Sequence, residues 1–379
     1  MKIAIVCGHF LPSMGYIEVH LANAFQKLNH EVKVITSNVV PSYVKNISEL
    51  SENTPYEIIR LTPSFSMGQM VKSNGLVAEV EKFDPDLVVC TGPSKLFPEP
   101  LYNLKNRTFK LMTTMGDNEE TYSSISVFKK LKDIVILHAL KKPVYYKAIQ
   151  ASDVLLPYTP STIDVIAQFV NAKDLTMLKS KSREISLGFD EANFFYNELE
   201  RNEQRKQLGL SEQDNLLITA TRVAPEKGLE KVIDLVGEIN KKGTKIHYLI
   251  VGFQNDSYSD SLKAYIAQKE FKNNIICKPF STALQTRKYY NASDVAIFNR
   301  AAISIFEALA TGLFLLLPEQ KNIIHILNND NGTYFKQLSE KIMLESIQHK
   351  KEDRLKRVEL AKTFSYNKIA EQIIKFSEI

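Results

Sequence analysis

No apolar run in this 379-residue sequence approaches the ~18–20 residues that a membrane-spanning helix needs, and stretches such as Leu313–Leu317 have only the length of a buried strand. Cysteine is scarce. Cys7, Cys90 and Cys277 each close an apolar run and share no paired spacing, which excludes a disulfide scaffold and reads as buried thiols of a reducing compartment. Tryptophan is absent, and with 14 glycines and 14 prolines the chain is neither collagen-like nor disordered. It also lacks a repeat of fixed period, a low-complexity tract and a coiled-coil heptad. The seven histidines are scattered without HxxxH or HExxH spacing, so no metal site is expected, and no GxSxG elbow offers a serine nucleophile. No signal-peptide pattern precedes the strand-like run Lys2–Cys7, and a cytoplasmic chain is expected.

What is present is an ordinary globular composition, 44% hydrophobic and 24% charged, long enough for two domains. The net charge of +5 is unevenly placed. Between Val127 and Gln150, six lysines (Lys129, Lys130, Lys132, Lys141, Lys142 and Lys147) face one acid, Asp133, so this segment alone accounts for the whole excess. A nucleic-acid binder spreads more basic charge over a face, and nucleic acid is not an expected partner. The lysine clusters flank apolar Ile134–Leu140. That pattern fits either a helix seated on an anionic membrane surface at 127–150, or a helix packed on a sheet with its lysines in solvent.

Short Val/Ile-rich runs alternate with segments of helical spacing along the chain. Strand candidates are Ile3–Cys7, Val32–Thr36, Ile58–Leu61, Leu87–Cys90, Leu111–Thr114 and Val154–Pro157, then Leu216–Thr221, His247–Val251, Ile275–Lys278, Val295–Phe298 and Leu313–Leu317. Helices are expected at Glu18–Leu28 and Glu226–Asn240, where apolar residues recur at i, i+3 and i+4. Near-continuous apolar strands alternating with helices imply parallel sheets covered on both faces, and two such series imply two doubly wound α/β domains. The boundary is expected at a linker near 183–190, giving domains 1–185 and 186–363 with a closing segment 364–379. Ligands of such domains bind at the carboxyl ends of the strands, which makes the cleft between the two the expected site.

Three segments can carry chemistry. Arg222 sits at the end of the strand Leu216–Thr221, and Lys227-Gly228 opens the next helix with Pro225 just inside its start. Two cations at a helix N-terminus suit a diphosphate, although a solvated loop with Lys227 paired to Glu226 or Glu230 reads equally from the spacing alone. Downstream, Glu307 is the one charge on an otherwise apolar helix from about Ile303 to Ala310, stopped by Gly312. A carboxylate in such a setting can accept both hydrogen bonds of a vicinal diol such as a ribose. The third segment, Cys7-Gly-His-Phe-Leu-Pro-Ser-Met-Gly15, leads into a helix at Glu18, an anion-binding arrangement that is not GxGxxG and so disfavours a nicotinamide cofactor.

These residues bring the sequence close to a family. Arg222…Lys227-Gly228, Val251-Gly252, Tyr289-Tyr-Asn-Ala-Ser-Asp294-Val and Glu307-Ala-Leu-Ala-Thr-Gly312 resemble the motifs of the retaining glycosyltransferases of family 4. Weaker support comes from Met14-Gly15-Tyr-Ile-Glu18, Asn29-His-Glu-Val32, Ser186-Leu-Gly-Phe-Asp190 and the closing segment from Phe364. The resemblance implies a GT-B fold, two Rossmann-like domains facing across a cleft, with the last helix returning to the first domain. It implies a nucleoside-diphosphate-sugar donor as substrate, no cofactor, and a glycan or lipid-linked acceptor of the cell envelope, reached from the cytoplasm at the inner face of the membrane. Arg222 and Lys227 would hold the diphosphate and stabilise the leaving nucleotide, Glu307 the ribose, and Gly15 a close approach of the first loop. Asn299, Ala302 and Ser304 would face the donor sugar, with Phe280 by the nucleotide.

The chain departs from that family at three places. Asn299-Arg-Ala-Ala replaces a glutamate followed by Gly-Phe-Gly, Met14-Gly15 replaces two glycines, and an expected histidine is absent where Asp117 stands. Asp117 can take the histidine's place on the acceptor side or be a loop residue without a role. The departures keep two alternatives open, a catalytically degenerate partner subunit and a nucleotide-sugar epimerase on the same fold. Asp84-Pro-Asp86 matches the DxD string of metal-dependent transferases but precedes a strand as a turn.

Overall fold

A computed structural model describes residues 1–40, 53–117, 141–349 and 353–378. It divides into two compact units, Met1–Leu187 with Tyr366–Ile379, and Gly188–Ser365.

The first unit contains β1 (Lys2–Val6), β2 (Glu31–Ser37), β3 (Glu57–Leu61), β4 (Pro63–Met67), β5 (Met70–Ser73), β6 (Leu87–Thr91), β7 (Lys110–Met115) and β8 (Val154–Pro157). Six of these form a parallel sheet in the order β3-β2-β1-β6-β7-β8, and β4 and β5 make a separate antiparallel hairpin. The second unit contains β9 (Asn215–Ala220), β10 (Ile246–Phe253), β11 (Ile275–Pro279), β12 (Val295–Ile297), β13 (Phe314–Pro318) and β14 (Gly332–Phe335). Their order, β11-β10-β9-β12-β13-β14, repeats that of the first sheet. In both, the direction of winding reverses between the first strand and the fourth, β1/β6 and β9/β12. Such a reversal opens a crevice at the carboxyl ends of the two strands.

The strands are apolar throughout because both faces are covered. Ile3, Ala4, Ile5 and Val6 are fully buried, as are Leu216, Leu217, Ile218 and Leu315–Leu317. On the first sheet the helix Ile17–Lys27 buries Val19, Ala22 and Phe25, and the closing helix Tyr366–Ser377 packs Ile369 and Ile373 into the same core. His20 and Tyr366 stack with ring centroids 4.5 Å apart. On the second sheet the helix Leu229–Lys241 buries Leu229, Val232, Ile233 and Val236, each contributing about 1.5–3 kcal/mol relative to exposure.

An aspartate one residue ahead of a strand recurs at the amino ends of both sheets. Asp86, before β6, accepts from the backbone N–H of Lys2 at 2.7 Å. Asp153, before β8, accepts from Leu111 N–H at 2.8 Å and from Arg107 at 2.8 Å. Asp294, before β12, accepts from Leu216 N–H at 2.8 Å while Arg201 reaches its other oxygen at 2.7 Å. The Asp84-Pro-Asp86 string is therefore a turn and strand clamp. Arg201 and Arg205 are almost wholly buried and donate to the carbonyls of Asn291, Ala292 and Ser293, and their charges are balanced by Asp294, with Glu212 3.9 Å from each.

Of the lysine-rich segment, 127–140 lies outside the described residues. Its remainder begins the helix Lys142–Ala151, which buries Val144, Tyr145, Ala148 and Ile149, while Lys147 pairs with Glu99 at 2.8 Å. Among the described residues no helix is long and apolar enough to cross a membrane. The sequence reading omits the hairpin β4–β5 and the edge strand β14. Cys7 and Cys90 are buried and Cys277 partly so, all three as free thiols.

Removing the Asp294 carboxylate takes the nearest counter-charge from two buried guanidiniums and leaves them Glu212, 3.9 Å from each, a loss that approaches the about 3–5 kcal/mol of breaking a buried pair. Asp294→Ala is expected to lower the urea midpoint of the full chain sharply, and an unchanged midpoint would remove Asp294 from that role.

Candidate active site

The segment after β9 is shaped by a close backbone contact. Thr221 N–H donates to Val251 O at 3.0 Å, and Val223 N–H to Gly252 O at 3.3 Å, which pins the segment to the end of β10. Gly252 has φ +126°, and a Cβ there would lie 1.8 Å from the Thr221 carbonyl oxygen. Only glycine fits. Arg222 follows directly and is largely exposed, its guanidinium donating to Glu226 at 2.9 Å.

The sequence places Lys227 in the first turn of the helix. In the structure, Pro225–Lys227 forms a separate 3₁₀ turn and the α-helix begins at Leu229. The break is Gly228, whose φ of +58° is left-handed and interrupts the helical run. Lys227 thus stands two residues before the helix, on a turn that carries Arg222 and Glu226 as well.

The segment after β12 meets that turn. Thr219 donates to Ile297 O at 2.7 Å, and Phe298 N–H to Leu316 O at 3.1 Å, fixing the end of the strand. Asn299 comes next, and its amide nitrogen donates to Lys227 O at 2.9 Å and Gly228 O at 3.2 Å. Arg222, Lys227 and Asn299 are therefore brought together across the β9/β12 crevice. Ala302 lies in the following segment, and Ser304 opens the helix Ser304–Ala310, whose expected start at Ile303 shifts by one residue. Ser304 O accepts from the buried Tyr290 hydroxyl at 3.2 Å.

Glu307 lies on that helix among Ile305, Phe306, Ala308 and Leu309, and makes no hydrogen bond among the described residues. Burial pushes its carboxyl up to about 7. Phe280 is 70% exposed just past β11, and its N–H donates to Phe253 O at 2.9 Å, so it belongs to the same carboxyl-terminal edge.

Gly15 and Asp117 belong to the other unit. Gly15 is exposed just ahead of the helix Ile17–Lys27. Asp117 is buried just past β7, and its carboxylate accepts from the Tyr145 hydroxyl. The first unit holds a polar group that sequence reasoning overlooks. Glu18, buried in the first turn of its helix, lies 3.6 Å from Lys95, which follows β6. His9 is held neutral further down the pH scale by its burial and by Lys95. The hydroxyls of Thr91, Thr114 and Tyr158, at the ends of β6, β7 and β8, are buried without a hydrogen-bond partner among the described residues. No local motif marks this group, because its members come from four separate strands. Among the described residues no three His, Cys, Asp or Glu side chains gather as metal ligands do.

Comparison with known proteins meets this geometry. Residues 200–370 match the model of the family described as glycosyl transferases group 1. The fold of the whole chain is similar to sucrose-phosphate synthase from Thermosynechococcus elongatus, with a TM-score of 0.70 at 15% identity over 100% of this chain and 98% of that one. It is also similar to Anabaena Alr3699/HepE in complex with UDP-glucose, with a TM-score of 0.68 at 15% identity over 99% and 98% of the two chains. A third structure, WaaG, a glycosyltransferase involved in lipopolysaccharide biosynthesis, gives a TM-score of 0.64 at 14% identity over 98% of each chain. The two doubly wound units and these likenesses define the GT-B fold. A curated relative, the alpha-monoglucosyldiacylglycerol synthase of Streptococcus pneumoniae, is 24% identical over 142 residues, which is 36% of this chain and about a third, 32%, of that protein.

Glu307 makes stability depend on pH. Its folded pKa lies above the ordinary carboxyl value of 4.5, so the stability linked to its neutral form is complete below about 4.5 and lost as pH rises through about 7. Ionising it in place costs on the order of 3 kcal/mol. Glu307→Gln is therefore expected to melt above the wild type at pH 8 and close to it at pH 5. A gain of equal size at both pH values would show that burial does not hold this proton.

Proposed function

We propose that the chain is a retaining glycosyltransferase that moves a sugar from a nucleoside-diphosphate donor to a hydroxyl of a glycan or lipid-linked acceptor, in cell-envelope polysaccharide or glycoconjugate synthesis. The observation that carries this reading is the turn holding Arg222 and Lys227 at the carboxyl end of β9, framed by Gly252 and Asn299. The match of residues 200–370 to glycosyl transferases group 1 supports it.

The chemistry follows from charge. Breaking the bond between sugar and diphosphate leaves negative charge on the departing phosphate, and preorganised cations lower that barrier. Arg222 presents a planar fork and Lys227 a compact charge. Glu226 occupies the Arg222 fork in the absence of donor, but an exposed ion pair contributes at most about 1 kcal/mol, which a diphosphate outbids. Glu307, ionised, accepts from both ribose hydroxyls, and its desolvated setting makes those bonds strong. Phe280 offers an exposed ring beside the base, and Ala302 and Ser304 supply backbone near the sugar. In the first unit, Gly15 is read as letting its loop approach the donor phosphate, and Asp117 as the acceptor-side group. The names of two similar proteins, a diacylglycerol glycolipid synthase and a lipopolysaccharide glycosyltransferase, support a lipid-linked acceptor. Such an acceptor places the enzyme in the cytoplasm at the inner face of the membrane, with the segment 127–150 as the contact.

Asn299 favours a second reading, a degenerate partner subunit. Its amide is engaged by the turn, where the resemblance assigns a sugar contact. Calorimetric titration with UDP, GDP and ADP separates the two. One nucleotide is expected to bind the wild type and to bind Lys227→Ala at least about tenfold more weakly, the loss of one charge-assisted contact. Binding of none of the three would overturn the donor-site reading and leave the partner subunit.

A further inference from the structure

β9 and β12 wind in opposite directions from their shared edge, so the segments that follow them, 221–228 and 298–303, diverge around a crevice. The Asn299 side chain ties one segment to the other. One amide nitrogen donates to two consecutive carbonyls, those of Lys227 and Gly228, across a sequence separation of more than 70 residues. The assignment of nitrogen and oxygen is fixed by the partners, since both are acceptors. Behind Asn299 the chain is anchored by the Thr219 and Leu316 bonds at the end of β12, so the tether pulls against a rigid strand. The Lys227 and Gly228 N–H groups themselves bond within the turn, to the carbonyls of Ala224 and Pro225.

We infer that Asn299 is a positioning residue, its side-chain amide fixing the Lys227–Gly228 turn so that the cations at 222 and 227 are set for a diphosphate. The inference rests on the donor-site reading above and deepens it. It also gives the departure from the family a physical content. A carboxylate at 299 would point oxygen lone pairs at two carbonyl oxygens and could not hold the turn. The amide exchanges a charge for a tether and keeps its own carbonyl oxygen as an acceptor.

Two variants test this on the full chain. In Asn299→Ala, amide hydrogen exchange at Lys227, Gly228 and Leu229 is expected to quicken about tenfold or more while the melting temperature changes little, and affinity for the nucleotide that binds the wild type is expected to fall about tenfold. In Asn299→Asp, the charged form repels the carbonyls and the protonated form restores a donor. Its nucleotide affinity relative to wild type is therefore expected to be lowest at pH 8 and to recover as the pH falls to about 4, the ordinary range of an aspartate carboxyl. Taking the ratio to wild type cancels the titration of Glu307 and of the nucleotide, and the other charges on the two segments, Arg222, Glu226, Lys227 and Arg300, are common to both proteins. Exchange at 227–229 like that of the wild type in Asn299→Ala, or a pH-independent ratio in Asn299→Asp, would overturn the inference. If the wild type binds no nucleoside diphosphate, the donor-site reading fails, and the exchange comparison still decides whether the tether exists.

Discussion

A parallel sheet has a problem at its amino end. An N–H in the first two residues of a strand that no neighbouring strand reaches needs another acceptor. This chain answers it with a carboxylate placed one residue before a neighbouring strand: Asp86 for β1, Asp153 for β7 and Asp294 for β9. Each clamp fixes the register between two adjacent strands, and a slip of one residue would exchange the side chains packed on the two faces of the sheet. The choice of aspartate has a consequence. Its second oxygen and its charge recruit arginine, so Asp153 carries Arg107 and Asp294 carries Arg201 and Arg205. In the second unit those guanidiniums are buried, and their remaining donors satisfy the carbonyls that close the helix before β12. The polar wiring at one end of the sheet leaves the other end free for chemistry.

Most of this fold is legible in the sequence because buried parallel strands have no polar face. Each of the eleven strands read from apolar runs is present, with ends moved by a residue or two. The elements that escape are those without such a run. β4 is Pro-Ser-Phe-Ser-Met and mostly exposed, and β14 is four residues on the sheet edge. In the candidate site, residue types single out Arg222, Lys227 and Glu307, since two cations near a glycine and a lone acid on an apolar helix depart from ordinary patterning. The partner of Asn299 is not legible. Its bonds go to backbone atoms more than 70 positions away, and no local signal encodes a contact of that range. The 3₁₀ turn at Pro225–Lys227 is hidden for another reason: Pro-Glu-Lys reads as a helix start until the left-handed Gly228 is seen.

The two ends of the second sheet differ in how far their polar groups are satisfied. Around Asp294 the buried guanidiniums are almost all hydrogen-bonded. Among the described residues, Glu307 is half-buried without a hydrogen-bond partner, and Arg222 has an exposed ion pair with Glu226. Unpaired burial is a standing cost to the folded chain, and folded chains carry such costs where a ligand can relieve them. The protonation of Glu307 near neutral pH is the thermodynamic sign of that cost.

Two of the contacts that hold the turn carrying Arg222 and Lys227 go to backbone atoms. Gly252 fits against the Thr221 carbonyl, and Asn299 grasps the carbonyls of Lys227 and Gly228. Neither contact reads the identity of the side chains at 222, 226 or 227. Shape and charge at this site are consequently inherited through different positions. The scaffold can drift to accept a differently charged ligand by exchanging side chains on the turn, whereas position 252 is closed to every residue but glycine, because no substitution elsewhere can move a backbone oxygen out of the way.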